Sequence, residues 1–138
     1  MLVKGFFPVL SGFVTFCPLN QGWVGLINPF RLCHGLSGLW SEQNRDEMQK
    51  FCNVNIVADN VKDNDCTKMV DPSKWNIDPE GSFFYFCTNE TVNGFEQNFD
   101  TFPWHLIPKG MPVIGDMSSN IGTKPIPWDK FDMAFMGA

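Results

Sequence analysis

A dense aromatic run at residues 82–87, Ser-Phe-Phe-Tyr-Phe-Cys, is the feature that most restricts the fold. The run does not alternate between apolar and polar residues, as expected of a strand that is covered on both faces. Strands of this kind are typical of parallel sheets, whose connections pack over the two faces. Helical or long crossover segments separate the candidate strands, so we predict an α/β fold with a mainly parallel sheet.

A second apolar run, Val113–Ile114, passes through Gly115 into Asp116 and then into small polar residues. The aromatic run ends in the same way, in the polar residues 88–91. In open α/β sheets, ligands bind outside the carboxyl ends of the strands. Asp116 is therefore either a turn or helix-cap aspartate that binds local backbone amides, or an acid that faces a cofactor.

Local signals predict the remaining elements. Ser41 is a candidate N-cap followed by acidic residues, and we predict a helix from about Glu42 to Cys52. A short strand with β-branched residues follows at 54–58, and residues 131–138 would supply another strand. Residues 1–36 are rich in Gly, Phe and Pro and give no clear element.

Composition argues against several classes of protein. The 138 residues, 43% of them hydrophobic, are enough for one modest domain with a core. A net charge of −5 with scattered basic residues argues against nucleic-acid binding. No uninterrupted apolar stretch reaches the roughly 18 residues of a membrane-spanning helix. We therefore expect neither a nucleic-acid nor a membrane partner.

The cysteines and histidines carry no recognisable metal or catalytic motif. Five cysteines form an odd set without a C-x-x-C pair, so neither a zinc site nor a disulfide framework is indicated. We expect reduced thiols and a cytoplasmic protein. His34 and His105 lie in no metal or hydrolase motif, and we expect both to be structural.

Several motifs occur together in a fixed order. They are Gly-Leu-Trp-Ser at 38–41, Asp-Pro-Ser-Lys-Trp-Asn at 71–76, Asn-Glu-Thr-Val-Asn-Gly at 89–94 and Gly-Asp-Met-Ser-Ser-Asn at 115–120. In this order the chain resembles phosphoserine aminotransferase over residues 36–138, whereas residues 1–35 diverge. The resemblance implies part of the large, cofactor-binding domain of a fold-type I, class V aminotransferase, with a mainly parallel sheet and flanking helices.

The resemblance also implies an activity. Phosphoserine aminotransferases transfer an amino group between glutamate and 3-phosphohydroxypyruvate in L-serine biosynthesis. They use pyridoxal 5′-phosphate, and the full-length family is homodimeric. The partners implied for this chain are therefore small-molecule substrates and a second copy of the full-length protein.

The family's cofactor-binding residues can be carried over residue by residue. Asp116 matches the acid that pairs with the ring nitrogen, and Trp40 matches the aromatic that stacks on the ring. Thr91 matches the hydroxyl that binds the ring oxygen, and Ser118 is placed to orient Asp116 or to touch the cofactor. Outside this context, Trp40 would be read as a core residue and Thr91 as a turn hydroxyl.

The sequence departs from the family at two places. The family's Gly-Ala is followed by Gln and then by the lysine that binds the cofactor covalently, whereas this sequence ends at Ala138. Lys124 and Lys130 match ordinary positions and do not replace that lysine. Residues 8–12 stand where the family has its glycine-rich phosphate loop. We therefore expect a fragment without a catalytic residue of its own, inactive as a separate polypeptide.

Two other interpretations remain open at this point. A truncated relative that has lost catalysis could serve as an interaction subunit. A small secreted protein would instead use Lys4 and the apolar residues after it as a signal peptide, although Pro8 and Gly12 interrupt that run. It would also carry a glycan in the sequon at Asn89.

Overall fold

The computed structural model describes residues 31–62 and 66–137. In chain order the elements are β1 (Arg31–Leu36), α1 (Leu39–Met48), β2 (Asn53–Asp59), β3 (Phe83–Cys87), β4 (Asn89–Glu90), β5 (Phe95–Glu96), β6 (Val113–Asp116) and β7 (Met133–Phe135). Short 3-10 turns lie at Pro72–Lys74, Trp104–Leu106 and Trp128–Lys130. Five strands form one sheet in the order β2-β1-β3-β6-β7, and every pairing in it is parallel. The predicted α/β fold with a mainly parallel sheet is confirmed.

The strand order reverses between β1 and β3. From β1 the chain crosses over through α1 to β2 on one side, whereas β3, β6 and β7 extend the sheet on the other side. The small antiparallel pair of β4 and β5 follows β3 directly. In open α/β sheets such a reversal leaves a crevice at the carboxyl ends of the strands.

Register divides the buried side chains between two faces of the sheet. His34, Tyr85 and Ile114 are paired across β1, β3 and β6 and share one face, which we call the helix face because α1 packs there through Met48. Side chains of the alternate residues share the opposite face, which we call the loop face because segments 97–112 and 126–131 cover it.

Aromatic rings fill the loop face. Phe84 and Phe86 are almost fully buried there, and Phe86 stacks on Phe102 with ring centroids 4.6 Å apart. Phe131 also stacks on Phe86, at 5.8 Å. Gly115 permits this packing, since a Cβ at that position would lie 2.7 Å from the Phe131 ring. The aromatic run of β3 is therefore covered on both faces, as predicted, since Tyr85 is buried on the helix face.

The start of α1 differs from the prediction. The helix begins at Leu39 after the N-cap Gly38, three residues before the predicted start at Glu42. Ser41 is not the N-cap but lies in the first turn, and its hydroxyl accepts from the backbone N–H groups of Ser37 (2.8 Å) and Gly38 (3.0 Å). A side chain at the third helical position that accepts from the N-cap backbone N–H is the reciprocal half of a capping box, so Ser41 does mark the start of the helix, but from inside its first turn.

Strand β1 was not predicted. Leu32, Cys33, His34 and Leu36 are buried in the middle of the sheet, although the strand carries Gly35 and a histidine and begins with an exposed Arg31. A histidine and a glycine weaken the hydrophobic signal of so short a segment. Pairing with β2 and β3 on both sides stabilises it instead.

Candidate functional site

The carboxyl ends of the parallel strands bring the predicted site residues to one edge of the sheet. Trp40 lies in the first turn of α1, which follows β1, and Thr91 follows β4, the short strand after β3. Asp116 is the last residue of β6. The end of β3 is paired with the end of β6, because Cys87 lies opposite Asp116. The three residues thus lie beyond the carboxyl ends of β1, β3 and β6, and the first two of these strands flank the reversal of strand order, where such sheets bind ligands.

Trp40 and Thr91 are in direct contact. The indole Nε1–H of Trp40 donates to the hydroxyl oxygen of Thr91 at 2.9 Å. Trp40 is 41% exposed and Thr91 is also exposed, so Trp40 is not a core residue. Because the Thr91 hydroxyl accepts from the indole, its own proton is left to donate to a further acceptor. The pair presents a flat aromatic surface with a hydroxyl donor at its rim.

Asp116 and Ser118 form the second pair. The Asp116 Oδ1 atom accepts from the backbone N–H of Ser118 at 2.9 Å and from its hydroxyl at 2.5 Å. Both bonds use the same oxygen, which fixes the carboxylate and leaves Oδ2 for a ligand donor. The Ser118 hydroxyl oxygen in turn accepts from the backbone N–H of Gly137, after β7. Asp116 therefore caps its own turn and is also held in a defined orientation at the edge.

Hydrogen bonds join the loops that carry the two pairs. The backbone N–H of Thr88 donates to the carbonyl oxygen of Asp116 at 2.9 Å. The Asn89 side chain donates to the hydroxyl of Ser119 at 2.9 Å, and that hydroxyl donates to the carbonyl oxygen of Asn89 at 3.1 Å. The exits of β3 and β6 are thereby fixed relative to one another.

Tyr85 lies on the helix face beside these strand ends. Its ring is almost fully buried, stacks on Phe135 at 6.4 Å, and shares its sheet face with Asp116. Among the described residues, its hydroxyl has no hydrogen-bond partner at ordinary distance. Burial raises the pKa of Tyr85 well above its ordinary value, and the charge of Asp116 adds to the effect. The hydroxyl of Tyr85 therefore stays protonated.

Sequence reasoning gave no role to Glu90 and Asn93, although both lie in the Asn-Glu-Thr-Val-Asn-Gly motif. Glu90 is fully buried, and its carboxylate accepts hydrogen bonds from the first turn of α1. Asn93 accepts from the backbone N–H of Leu39 at 2.9 Å. An acid directly after a buried strand was the available signal, but its partner helix begins about 50 residues earlier in the chain.

This edge of the sheet carries three kinds of group that can bind a ligand. The indole supplies a stacking surface, the hydroxyl a hydrogen-bond donor, and the carboxylate an acceptor for a protonated nitrogen. A search of residues 31–62 and 66–137 finds no group of three or more His, Cys, Asp or Glu side chains suited to a metal ion.

Comparison with known proteins decides the family. No protein-family model matches the chain. A Dictyostelium discoideum protein named "Probable phosphoserine aminotransferase" is 39% identical over 103 residues, which cover 75% of this chain and 27% of that protein. The chain belongs to the phosphoserine aminotransferase family. It spans less than a third of the length of the curated relative it matches.

Solved structures of phosphoserine aminotransferases agree. One is a phosphoserine aminotransferase structure from a study of radiation damage of the Schiff base, and it superposes with a TM-score of 0.71 at 26% identity. The superposition covers 81% of this chain and 29% of the solved chain. Another is a pyridoxal-phosphate-bound phosphoserine aminotransferase from Trichomonas vaginalis, with a TM-score of 0.58 at 28% identity. It covers 75% of this chain and 29% of the Trichomonas chain. The resemblance seen in the sequence motifs thus extends to the fold.

Four expectations for this phosphoserine aminotransferase-like chain concern other regions. The segment in place of the phosphate loop, residues 8–12, and the residues that resemble a signal peptide lie outside the described part of the chain. Within the described ranges, no helix combines the length and apolarity needed to cross a bilayer. Lys124 binds the Gln97 carbonyl oxygen at 2.8 Å and Glu96 at 2.9 Å, and Lys130 pairs with Asp129 at 3.2 Å.

Proposed function

We propose that residues 36–138 form part of the cofactor-binding domain of a phosphoserine aminotransferase. The reaction is transfer of an amino group between glutamate and 3-phosphohydroxypyruvate in L-serine biosynthesis. The observation that carries the proposal is the placement of two hydrogen-bonded pairs, Trp40 with Thr91 and Asp116 with Ser118, at one carboxyl edge of the sheet. The similarity to phosphoserine aminotransferases supports it.

The proposed ligand of this edge is pyridoxal 5′-phosphate. When bound, this cofactor supplies an electron sink for the electrons released as the substrate's Cα proton leaves. The Trp40 indole stacks on the ring and restricts its tilt. The Thr91 hydroxyl donates its free proton to the ring oxygen, a role consistent with its acceptance of the indole N–H.

Asp116 holds a proton at the ring nitrogen in this proposal. Its Oδ1 atom is engaged by Ser118, and Oδ2 is left to pair with the nitrogen. A carboxylate at this position favours the protonated ring, whereas an amide gives up that charge stabilisation. Ser118 acts through Asp116 and is a positioning residue, because its hydroxyl already bonds Asp116 and Gly137.

A chimeric enzyme tests the function. The matching segment of the Dictyostelium relative is replaced by residues 36–138, and glutamate-dependent amination of 3-phosphohydroxypyruvate is measured. We expect turnover, and we expect Asp116→Asn in the same chimera to lower kcat by about 100-fold or more, in the range of a lost electrostatic contact in an active site. A folded chimera without turnover would contradict the proposal, as would an Asp116→Asn chimera that keeps its rate.

We further propose that the 138-residue polypeptide alone binds the cofactor weakly and does not turn over. Lys124 binds Glu96 and the Gln97 carbonyl oxygen, Lys130 pairs with Asp129, and neither lies at the position that matches the family's cofactor-binding lysine. The same assay on the purified chain, with the chimera as positive control, checks this. Measurable turnover by the purified chain would contradict it.

A further inference from the structure

Glu90 is a carboxylate buried at the start of α1. Its side chain is fully shielded from solvent. The Oε2 atom accepts from the backbone N–H of Trp40 at 2.8 Å. The Oε1 atom accepts from the backbone N–H of Ser41 at 3.0 Å and from the hydroxyl of Ser37 at 3.1 Å. The carboxylate thus binds three donors of one short segment, and one of these is the backbone of Trp40.

The residues after Glu90 continue this contact with α1. Asn93 accepts from the backbone N–H of Leu39, and Thr91 accepts from the indole of Trp40. Residues 90–91 therefore bind Trp40 twice. Glu90 accepts from the backbone N–H of Trp40, and Thr91 accepts from its indole N–H. Trp40 is 41% exposed, so packing alone does not fix its ring.

Close packing at Gly38 shows how tightly the two segments fit. A Cβ at Gly38 would lie 2.9 Å from the Glu90 Cδ atom and 2.4 Å from the Asn93 Oδ1 atom. The N-terminus of α1 is therefore filled by a side chain of this protein. Unpaired backbone N–H groups at a helix N-terminus attract anions, and here the Glu90 carboxylate meets that requirement.

We propose that Glu90 is a positioning residue that sets the orientation of the Trp40 indole relative to Thr91. Its purpose in catalysis rests on the proposed function, in which these two residues hold the cofactor ring. A carboxylate is required because both oxygens accept hydrogen bonds from donors. Glutamine accepts on one oxygen only, and its amide group would point N–H bonds at a donor of α1. The substitution therefore displaces the start of the helix and the ring attached to it.

The test compares Glu90→Gln with wild type by NMR of the 138-residue chain in the absence of any cofactor. The indole N–H signal of Trp40 is assigned from its loss in Trp40→Phe. We expect this signal to shift in Glu90→Gln, and we expect exchange of the Trp40 and Ser41 backbone amides to speed up by about 10-fold or more relative to amides of β3 and β6.

A matched control distinguishes a change in the orientation of Trp40 from a general loss of stability. Glu96→Gln changes a carboxylate in the same segment that bonds Asn120 and Lys124 instead of α1, and we expect the Trp40 signals to stay in place. A purely structural role for Glu90 predicts a different outcome, in which exchange rises equally across α1, β3 and β6 while the indole signal does not move. That outcome would overturn the proposal.

A second variant decides the matter where Glu90→Gln does not fold. Glu90→Asp keeps the charge and withdraws the carboxylate by one methylene group, so we expect a smaller shift of the Trp40 indole signal in the same direction. A folded Glu90→Asp protein with an unmoved Trp40 signal would contradict the proposal. Because no cofactor is present, such a failure would leave the proposed function standing, whereas an inactive chimera would leave this geometry standing.

Discussion

The two faces of the sheet are packed by different means. The loop face is closed by stacked aromatic rings, among them Phe84, Phe86 and Phe102, which come from strands and from irregular segments. The helix face is closed by α1 and buries polar side chains beside apolar ones, including His34 and Tyr85. Apolar burial stabilises without directional demands, whereas each buried polar atom needs a partner. The loop face therefore supplies stability, and the helix face adjoins the candidate site.

Polar atoms without partners occur on the helix face. Among the described residues these are His34 Nδ1 and Tyr85 Oη, and the two rings lie 4.7 Å apart. Each such atom costs about 1–3 kcal/mol of folding free energy. The helix face, which adjoins the candidate site, is therefore not optimised for stability. Substitutions on the two faces should differ in their effects for this reason.

The largest expected effect is on the loop face. Phe86 is almost fully buried and contacts Phe84, Phe102, Trp104 and Phe131. Phe86→Ala should lower the free energy of unfolding by about 3–5 kcal/mol, because it leaves a large cavity among rings that cannot collapse fully. Chemical denaturation measures the change.

The matched control is the exposed Phe51, which is 43% accessible. Phe51→Ala should cost less than about 1 kcal/mol because most surface substitutions do. If the two variants lost equal stability, the loop face would not be the main source of stability.

The second prediction concerns acid and the helix face. Burial lowers the pKa of His34 from 6.5 to about 4, although a hydrogen bond with Asn44 opposes the effect. The unfolded chain therefore binds a proton near pH 6.5, while the folded protein does so only near pH 4. Stability should fall as pH decreases through this window, by about 3 kcal/mol in total, and no loss from this group is expected above it.

Denaturant unfolding at pH 7.5 and pH 4.5 checks this prediction. The difference in unfolding free energy between pH 7.5 and pH 4.5 should be about 2–3 kcal/mol smaller in His34→Gln than in wild type, because the variant has no imidazole to protonate at position 34. Phe51→Ala changes an exposed side chain that does not titrate and should leave the difference unchanged. Equal pH dependence in wild type and His34→Gln would mean that His34 does not limit stability on the helix face.

The third prediction concerns the junction of α1 with the turn after β3. Gly38 has an extended backbone with φ of 178°, so an alanine there meets only a steric obstacle. Gly38→Ala should cost about 1–3 kcal/mol, because Glu90 and Asn93 must move. Gly35→Ala is the control, since its Cβ would meet Phe86 Cβ at an ordinary 3.7 Å. Equal unfolding free energies for the two variants would contradict the close fit at Gly38.

The smallest expected effect on stability is at Asp116. Asp116→Asn keeps an oxygen for the two hydrogen bonds from Ser118, so the free energy of unfolding should change by less than about 1 kcal/mol. The same change removes the negative charge proposed to hold a protonated ring nitrogen. A decrease of more than about 2 kcal/mol in the free energy of unfolding would show that Asp116 mainly stabilises the fold.

Much of this architecture could be predicted from sequence because the signals are local. The strand at 83–87 is a continuous apolar run, and Asp116 follows directly on the apolar residues of β6. Strand β2 lies where β-branched residues predicted it, and β7 lies within the predicted residues 131–138. The order and spacing of the sequence motifs also indicated the family.

The features that the sequence did not predict depend on contacts between residues that are distant in the chain. Strand β1 is stabilised by neighbours on both sides rather than by its own composition. The helix begins at Leu39 because Glu90 and Asn93 bind the first helical amides from positions 50 and 54 residues further along the chain. The contact of Trp40 with Thr91 likewise joins two strand ends. Pattern and propensity carry no information about such pairings.

The most direct test of the central claim is an NMR titration of the chain with pyridoxamine 5′-phosphate. This probe carries the ring nitrogen, ring oxygen and phosphate of the cofactor, but it has no aldehyde to react with surface lysines. We predict shifts at the Trp40 indole and at the amides of Thr91, Asp116 and Ser118, with a Kd of about 1 mM or weaker. Asp116→Asn should weaken the binding further. The absence of shifts at these four residues, or shifts confined to another surface, would contradict the assignment of the cofactor site to this edge.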